Sequence, residues 1–268
     1  MADKERLDVL IAKRGYCSSR EKAKRQIMAG NVYVGGRLYD KPGKRVQPDS
    51  KIIIKDDSPR YVSRGGEKLE KALDEFEIDL SGKKAVDIGS STGGFTDCLL
   101  QKGAGEVWAV DVGKGQLDWK LRNDSRVNVL EETNARYLDP ERIGEEVDLV
   151  TIDVSFISLE LILPSARPLL GEGGKVISLV KPQFEAGPEL VERGGVVRDP
   201  DVHVDVIQAV SESAEEVGLL PTGLTFSPIR GKNSKNIEYP LLLSLQGNRL
   251  GRAGIVDLVR SAHDCFEN

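Results

Sequence analysis

A buried strand that stops on a glycine-rich turn constrains this chain more than any other feature. Residues 84 to 88, Lys-Ala-Val-Asp-Ile, are short and mostly apolar, as a strand covered on both faces requires. The turn Gly89-Ser90-Ser91-Thr92-Gly93-Gly94 follows, and Thr92 to Lys102 reads as a helix. Strand, glycine turn and helix in that order open an α/β sheet, because parallel strands need a crossover between them. The alternation continues with strands at Val107 to Val110, Val127 to Leu130, Val147 to Asp153 and Lys175 to Val180, and helices over Leu159 to Leu170 and Val202 to Val217. Strands over Leu220 to Pro228 and Ile237 to Leu245 close the pattern. No long crossover precedes the last strand, so it is expected to run antiparallel. Its beginning then lies on the rim where the parallel strands end, the rim at which such sheets bind ligands.

A chain of 268 residues accommodates one α/β domain and a small module. No apolar stretch approaches the ~20 residues of a membrane helix, and the N-terminus has no signal-peptide pattern, so a cytoplasmic protein without a membrane partner is expected. Cys17, Cys98 and Cys265 are isolated, and His203 and His263 are the only histidines, so neither a disulfide nor a metal site is expected. His203 falls in a predicted surface helix and His263 near the C-terminus, and neither is assigned a role.

The net charge of −5 conceals an asymmetry. Residues 1 to 60 carry 15 basic and 8 acidic side chains, whereas the remainder carries 23 and 35. A basic head on an acidic body suits a head that grips a polyanion, although a solvated charged face would have the same composition. Within the head, Arg6 to Ala12 has helical spacing, Ser18 or Ser19 can cap a second helix over Arg20 to Ala29, and Val32 to Val34 and Lys51 to Ile54 read as short strands around the Gly35-Gly36 turn. With Ser19-Arg20, Ala23, Ile27, Gly30, Val32, Val34, Gly36, Lys41-Pro42 and Val46, this segment resembles the alpha-L RNA-binding module of ribosomal protein S-four type. The resemblance implies binding of structured RNA through shape and phosphates. Candidate RNA contacts are Arg6, Arg20, Lys22, Lys24, Arg25 and Lys41, with Arg64 beyond the module. The domains are expected at residues 1–58 and 64–268, joined by a linker at 59–63.

The glycine turn also discriminates between cofactors. It reads Asp-x-Gly-x-x-x-Gly-Gly, without the Gly-x-Gly-x-x-Gly spacing that sets a helix N-terminus against a pyrophosphate. Its carboxylate, Asp87, would repel a diphosphate but suits the positive sulfonium of S-adenosylmethionine. Asp111 ends the next strand, 24 positions later, where a carboxylate can accept both ribose hydroxyls of an adenosine. Asn134, in Thr133-Asn134-Ala135, is placed to touch the adenine edge or simply to form a turn.

Four charged residues stand out as candidate catalytic groups: Lys68, Asp153, Lys181 and Glu238, each expected at an edge of the sheet. Singly, each could mark where a buried strand reaches water. Together they suit removal of a proton from a ribose 2′-hydroxyl, a poor acid that needs alignment and a base to attack a methyl group. A partly buried lysine beside a second cation can be that base, which explains two lysines sharing a site with two carboxylates.

Longer motifs carry a resemblance along essentially the whole chain. Tyr61 to Leu69, Asp87 to Phe95, Asp111 to Leu117, Asp153 to Ser158 and Leu179 to Glu185 are similar to the TlyA family, with FtsJ-like methyltransferase similarity over residues 61 to 246. The resemblance implies a Rossmann-like S-adenosylmethionine-dependent methyltransferase sheet behind a small α+β RNA-binding domain. It also implies 2′-O-methylation of cytidine in ribosomal RNA, with ribosomal RNA or ribosomal subunits as partners and no obligate protein partner. The family's Lys-Asp-Lys-Glu tetrad falls on Lys68, Asp153, Lys181 and Glu238. Its cofactor loop falls on Gly89, Ser91, Thr92, Gly93, Gly94, Phe95 and Thr96, beside Asp87, Asp111, Asn134 and Asp153. The family also carries the name haemolysin, but a pore-former needs an apolar spanning or amphipathic surface, and the sequence presents none. A non-catalytic RNA-binding assembly factor would have no need of all four charges.

Overall fold

The structure, a computed structural model, describes residues 3–55, 60–231 and 236–267. The chain forms two compact units, Met1–Pro59 and Arg60–Asn268. The expected domain boundary at 58/59 lies outside the described residues.

The first unit runs β1 (Glu5–Arg6), α1 (Leu7–Lys13), α2 (Arg20–Met28), β2 (Val32–Val34), β3 (Arg37–Leu38), β4 (Arg45–Val46) and β5 (Ile52–Ile54). Ser19 caps α2 by accepting the Lys22 N–H at 3.2 Å. Leu7, Leu10 and Ile11 of α1 meet Ala23 and Ile27 of α2 over Val32, Val34 and Ile52 of the three-stranded sheet. Asp8, on α1 beside this core, is fully buried. Burial raises its pKa, but hydrogen bonds from Arg6 (Nε to Oδ1, 3.0 Å) and Arg20 (Nε to Oδ2, 2.8 Å) more than reverse that and hold it at about 2.

The second unit runs α3 (Gly65–Glu75), β6 (Lys84–Ile88), α4 (Gly94–Gln101), β7 (Glu106–Val110), α5 (Trp119–Arg122), β8 (Val127–Leu130), β9 (Val147–Ile152), α6 (Leu163–Ala166), β10 (Leu170–Val180), α7 (Pro182–Glu185), α8 (Pro200–Glu216), β11 (Leu220–Leu224), β12 (Tyr239–Ser244) and α9 (Arg252–Glu267). Its seven-stranded sheet has the order β11-β12-β10-β9-β6-β7-β8. Only β12 runs against the other strands, as its missing crossover implied. Alternate residues of each strand enter two separate cores. Val86, Ile88, Val150, Ile152, Val176 and Val180 pack with α6, α8 and α9. Ala85, Val107, Leu149, Ile177 and Leu179 pack with α3 and α4. Both faces are dry, which is why the strands are nearly continuous apolar runs in the sequence.

Several expectations are corrected. The helix over Leu159 to Leu170 is broken into a 3-10 turn, the four residues of α6 and a second 3-10 turn. Pro164 and Pro168 each remove an amide donor, so no continuous helix can form there. Strand β10 begins earlier, at Leu170, with a register shift before Lys175. Helices α3 and α9 were not anticipated. Tyr61, in the segment expected to link the domains, is buried in the α3–α4 core, and the Val62 N–H is held by Asp97 Oδ2 at 2.8 Å. His203 is not on a surface: α8 turns it inward at 1% exposure, where it meets the Tyr239 hydroxyl at 2.8 Å and Val197 O at 2.9 Å. Burial lowers its pKa to about 4, so it is a neutral structural group.

Asp8→Ala should leave two guanidinium groups unpaired and destabilise the first unit by about 2 kcal/mol, less than the ~3–5 kcal/mol of a fully buried pair because both arginines reach water. Because the folded pKa of Asp8 lies below its unfolded value of 3.8, its contribution is present above that value and lost as the pH falls through about 2. Hydrogen exchange of α1 and α2, measured in both variants from neutral to acid pH, checks both statements.

Candidate active site

The register of the sheet decides which charges meet. Ile152 of β9 pairs with Ser178 of β10 and Ile88 of β6, and Val180 of β10 pairs with Tyr239 of β12. The residues just beyond these pairs, Asp153, Lys181 and Glu238, therefore emerge on one rim, on strands ~4.8 Å apart. Lys181 is 5% exposed, with Nζ 2.5 Å from Asp153 Oδ1, and it donates to Val154 O at 2.7 Å and Ser155 Oγ at 3.2 Å. Glu238 is 4% exposed and lies 2.5 Å from Lys68 Nζ. Lys68 does not sit at a sheet edge as expected. It projects from α3, a helix ahead of the first strand of this sheet, so no strand pattern could have placed it.

The glycine turn occupies the same rim between β6 and β7. Gly89 has φ 84°, and a β-carbon there would lie 2.6 Å from Asp153 O, so only glycine lets this turn close against the end of β9. Gly94 is likewise tight, its hypothetical β-carbon 3.1 Å from the Gly66 N and 3.3 Å from the Gly65 Cα. Asp111 braces the turn from β7: Oδ2 accepts the Ser91 N–H and Oδ1 the Gly113 N–H, both at 2.7 Å. Gly89 and Asp111 are half-buried, and Ser91 and Thr92 are exposed, so all four are open to a ligand.

Three expected cofactor contacts turn inward instead. Asp87 is fully buried, with Thr96 Oγ1 donating to one oxygen at 2.6 Å and Thr151 Oγ1 to the other at 3.1 Å. The Phe95 ring belongs to the α3–α4 core. The side chains of Asp87, Thr96 and Phe95 thus set the shape of the turn from behind. Asn134 takes the turn role, its side chain accepting the Arg136 N–H at 3.1 Å. Sequence reading passed over Val154 and Ser155 as partners of Lys181; their adjacency to Asp153 was the available signal.

Among the candidate RNA contacts, Arg6 and Arg20 are aligned by Asp8, whereas Lys24 pairs with Glu21 at 2.6 Å. Lys22, Arg25 and Lys41 are exposed. Arg64, in the second unit, is exposed and donates to Arg230 O at 2.6 Å. No group of described residues could hold a metal ion, and no described helix is long and apolar enough to cross a membrane.

Comparison with known proteins gives the family of each unit. Residues 61–243 match the FtsJ-like methyltransferase family, and residues 5–52 match the S4 domain. The 16S/23S rRNA (cytidine-2'-O)-methyltransferase TlyA of Mycobacterium tuberculosis is 45% identical over 98% of each chain. Hemolysin A of Brachyspira hyodysenteriae is 42% identical over 87% of this chain and 97% of its own. A solved structure of a protein described as a hemolysin, from Streptococcus thermophilus, superposes with a TM-score of 0.75 at 45% identity, covering 98% of this chain and 97% of that one.

Burial holds the Asp87 pKa up at about 7, against the hydrogen bonds from Thr96 and Thr151 and with the charge of Asp153 adding to the rise. Its folded value exceeds the ordinary 3.8, so its stabilising contribution is complete below that pH and is lost as the pH rises through about 7. Asp87→Asn should remove this dependence, flattening a stability loss on the order of 2 kcal/mol between about pH 5 and about pH 8. Thermal melts of the two proteins across that range test it.

Proposed function

This chain belongs to the TlyA family of FtsJ-like methyltransferases, and on that premise we propose that it transfers a methyl group from S-adenosylmethionine to the 2′-hydroxyl of a cytidine in ribosomal RNA. The observation that carries the reading is the single rim on which Lys181 with Asp153, Glu238 with Lys68, and the glycine turn with Asp111 are set side by side. The S4 unit supplies the second half of the argument, a basic segment that precedes an acidic body in the sequence.

The residues of the rim suit the cofactor. The carboxylate that braces the glycine turn is that of Asp111, and its charge favours a cation and opposes a phosphate. Asp111, Ser91 and the backbone of Gly89 and Thr92 would hold S-adenosylmethionine, with Asp111 accepting from its ribose hydroxyls. When bound, the cofactor supplies a methyl carbon activated by a positive sulfonium. The remaining work belongs to the protein. The ribose oxygen gains a carbon and must lose its proton, and Lys181 is the group that takes it. As an ammonium, Lys181 has three N–H groups for its three acceptors; to act as the acceptor it first gives one proton to solvent, after which it keeps two N–H groups and has a lone pair for the substrate hydroxyl. Ser155, at the longest of the three distances, is the contact it can release. Asp153 orients the amine, and Glu238 anchors Lys68 as a second cation beside it. In the S4 unit, Arg6 and Arg20 meet phosphates as a pair fixed by Asp8.

Radiolabelled methyl transfer to ribosomal subunits, followed by digestion to nucleosides, tests the reading: label should appear in 2′-O-methylcytidine, and label in a base or in protein would sink it. Lys181→Ala should lower turnover by at least ~100-fold while leaving cofactor and RNA affinity within about twofold. Near-normal turnover would remove Lys181 as the proton acceptor. Asp111→Ala should weaken S-adenosylmethionine binding by roughly 1.5 to 3 kcal/mol, the worth of hydrogen bonds to a charged group, as read by calorimetry.

A further inference from the structure

The loop that holds Lys181 is tied to the Lys181 segment a second time, at the far end of α7. Strand β9 leads into residues 153–158, and β10 leads through Lys181 into α7. Lys181, the residue before α7, engages Asp153, Val154 and Ser155 at the start of the loop. Glu185, the last residue of α7, closes the loop's other end: its carboxylate accepts the Ser158 hydroxyl at 2.8 Å and the Leu159 N–H at 3.0 Å. Lys181 precedes α7 in extended backbone and Glu185 is its last residue, so the two ties bracket this short helix.

Between them the loop is strained. Phe156 has φ 62°, a left-handed conformation that a bulky residue holds only when its surroundings impose it. Its ring lies 4.8 Å from that of Phe184 but is 90% exposed, so ring packing alone is a weak restraint. Two acceptors of Lys181, Val154 O and Ser155 Oγ, immediately precede this strained residue. Their directions depend on the backbone being fixed on both sides: β9 fixes one, and Glu185 fixes the other. The bond to Leu159 also satisfies an N–H at the start of a 3-10 turn, which is lost if the carboxylate leaves.

The geometry points to Glu185 as a positioning residue for methyl transfer, holding residues 153–158 so that Asp153, Val154 and Ser155 aim the Lys181 amine at the substrate hydroxyl. This rests on the role assigned to Lys181 above. The carboxylate of Glu185 is engaged by Ser158 and Leu159. It acts through the loop, so its removal affects turnover more than binding.

The test uses the full-length protein with ribosomal subunits. Glu185→Ala should lower kcat by about tenfold or more while KM and S-adenosylmethionine affinity stay within about twofold, because a displaced proton acceptor costs rate and not ground-state binding. Glu185→Gln can still accept the Leu159 N–H and donate to Ser158 Oγ, and it should recover kcat to within about threefold of the parent. Ser158→Ala should fall between the two. Hydrogen exchange of residues 154–159 should rise in Glu185→Ala and return with Gln. Parent-like kcat in Glu185→Ala, a loss confined to KM or cofactor affinity, or a Gln variant no better than Ala overturns the proposal. Failure of the unsubstituted protein to methylate ribosomal subunits would instead overturn the reading of function. In that event hydrogen exchange alone decides the clasp, and unchanged exchange in Glu185→Ala sinks it.

Discussion

Backbone pairing at the ends of β9, β10 and β12 is the constraint on which the proposed active site depends. Side chains on neighbouring strands meet only if the strands are in register, and a slip of one residue reverses every side chain between the two faces. Here both faces are apolar cores, so a slip would bury Asp153, Lys181 or Glu238 without a partner and expose a valine or leucine in exchange. The same burial energy that builds the sheet therefore fixes the charges to one rim. The geometry of the proposed site is inherited from packing.

The buried polar groups divide by what they do. Asp87 is surrounded by Thr96 and Thr151, and His203 lies between Tyr239 and Val197 O; both are satisfied from within and define shape. Lys181 and Glu238 are nearly as buried, yet each is paired across elements that diverge at the rim. Burying an ion pair seldom adds net stability over a packed apolar pair. The stability forgone here holds two paired side chains at the rim, where the proposed chemistry needs them.

The S4 unit handles the same problem on a smaller scale. Its core is limited to a few aliphatic side chains, and a fully buried aspartate sits within it. Asp8 draws Arg6 and Arg20 into one fork, which limits the rotamers of two long side chains before any phosphate arrives. Under the RNA-binding role proposed for this pair, side-chain entropy otherwise lost on binding is lost on folding.

The sequence by itself determined the α/β class, the antiparallel last strand, the glycine turn and the identity of the four charged residues. These are local properties: strand periodicity, turn chemistry and the absence of a crossover can be read within a few tens of residues. It could not place Lys68, whose helix precedes the sheet and whose partner Glu238 lies 170 residues away. Nor could it tell that Asp87 and Phe95 turn inward, because neighbouring residues on a turn differ in direction only once the turn has its dihedral angles. His203 looked like a surface group for the same reason, since which face of α8 is covered depends on α9 and β12. Glu185 was visible only as part of a motif. Pairings between distant segments, and the face each side chain takes, are decided by burial across the whole domain, and only the tertiary structure contains that information.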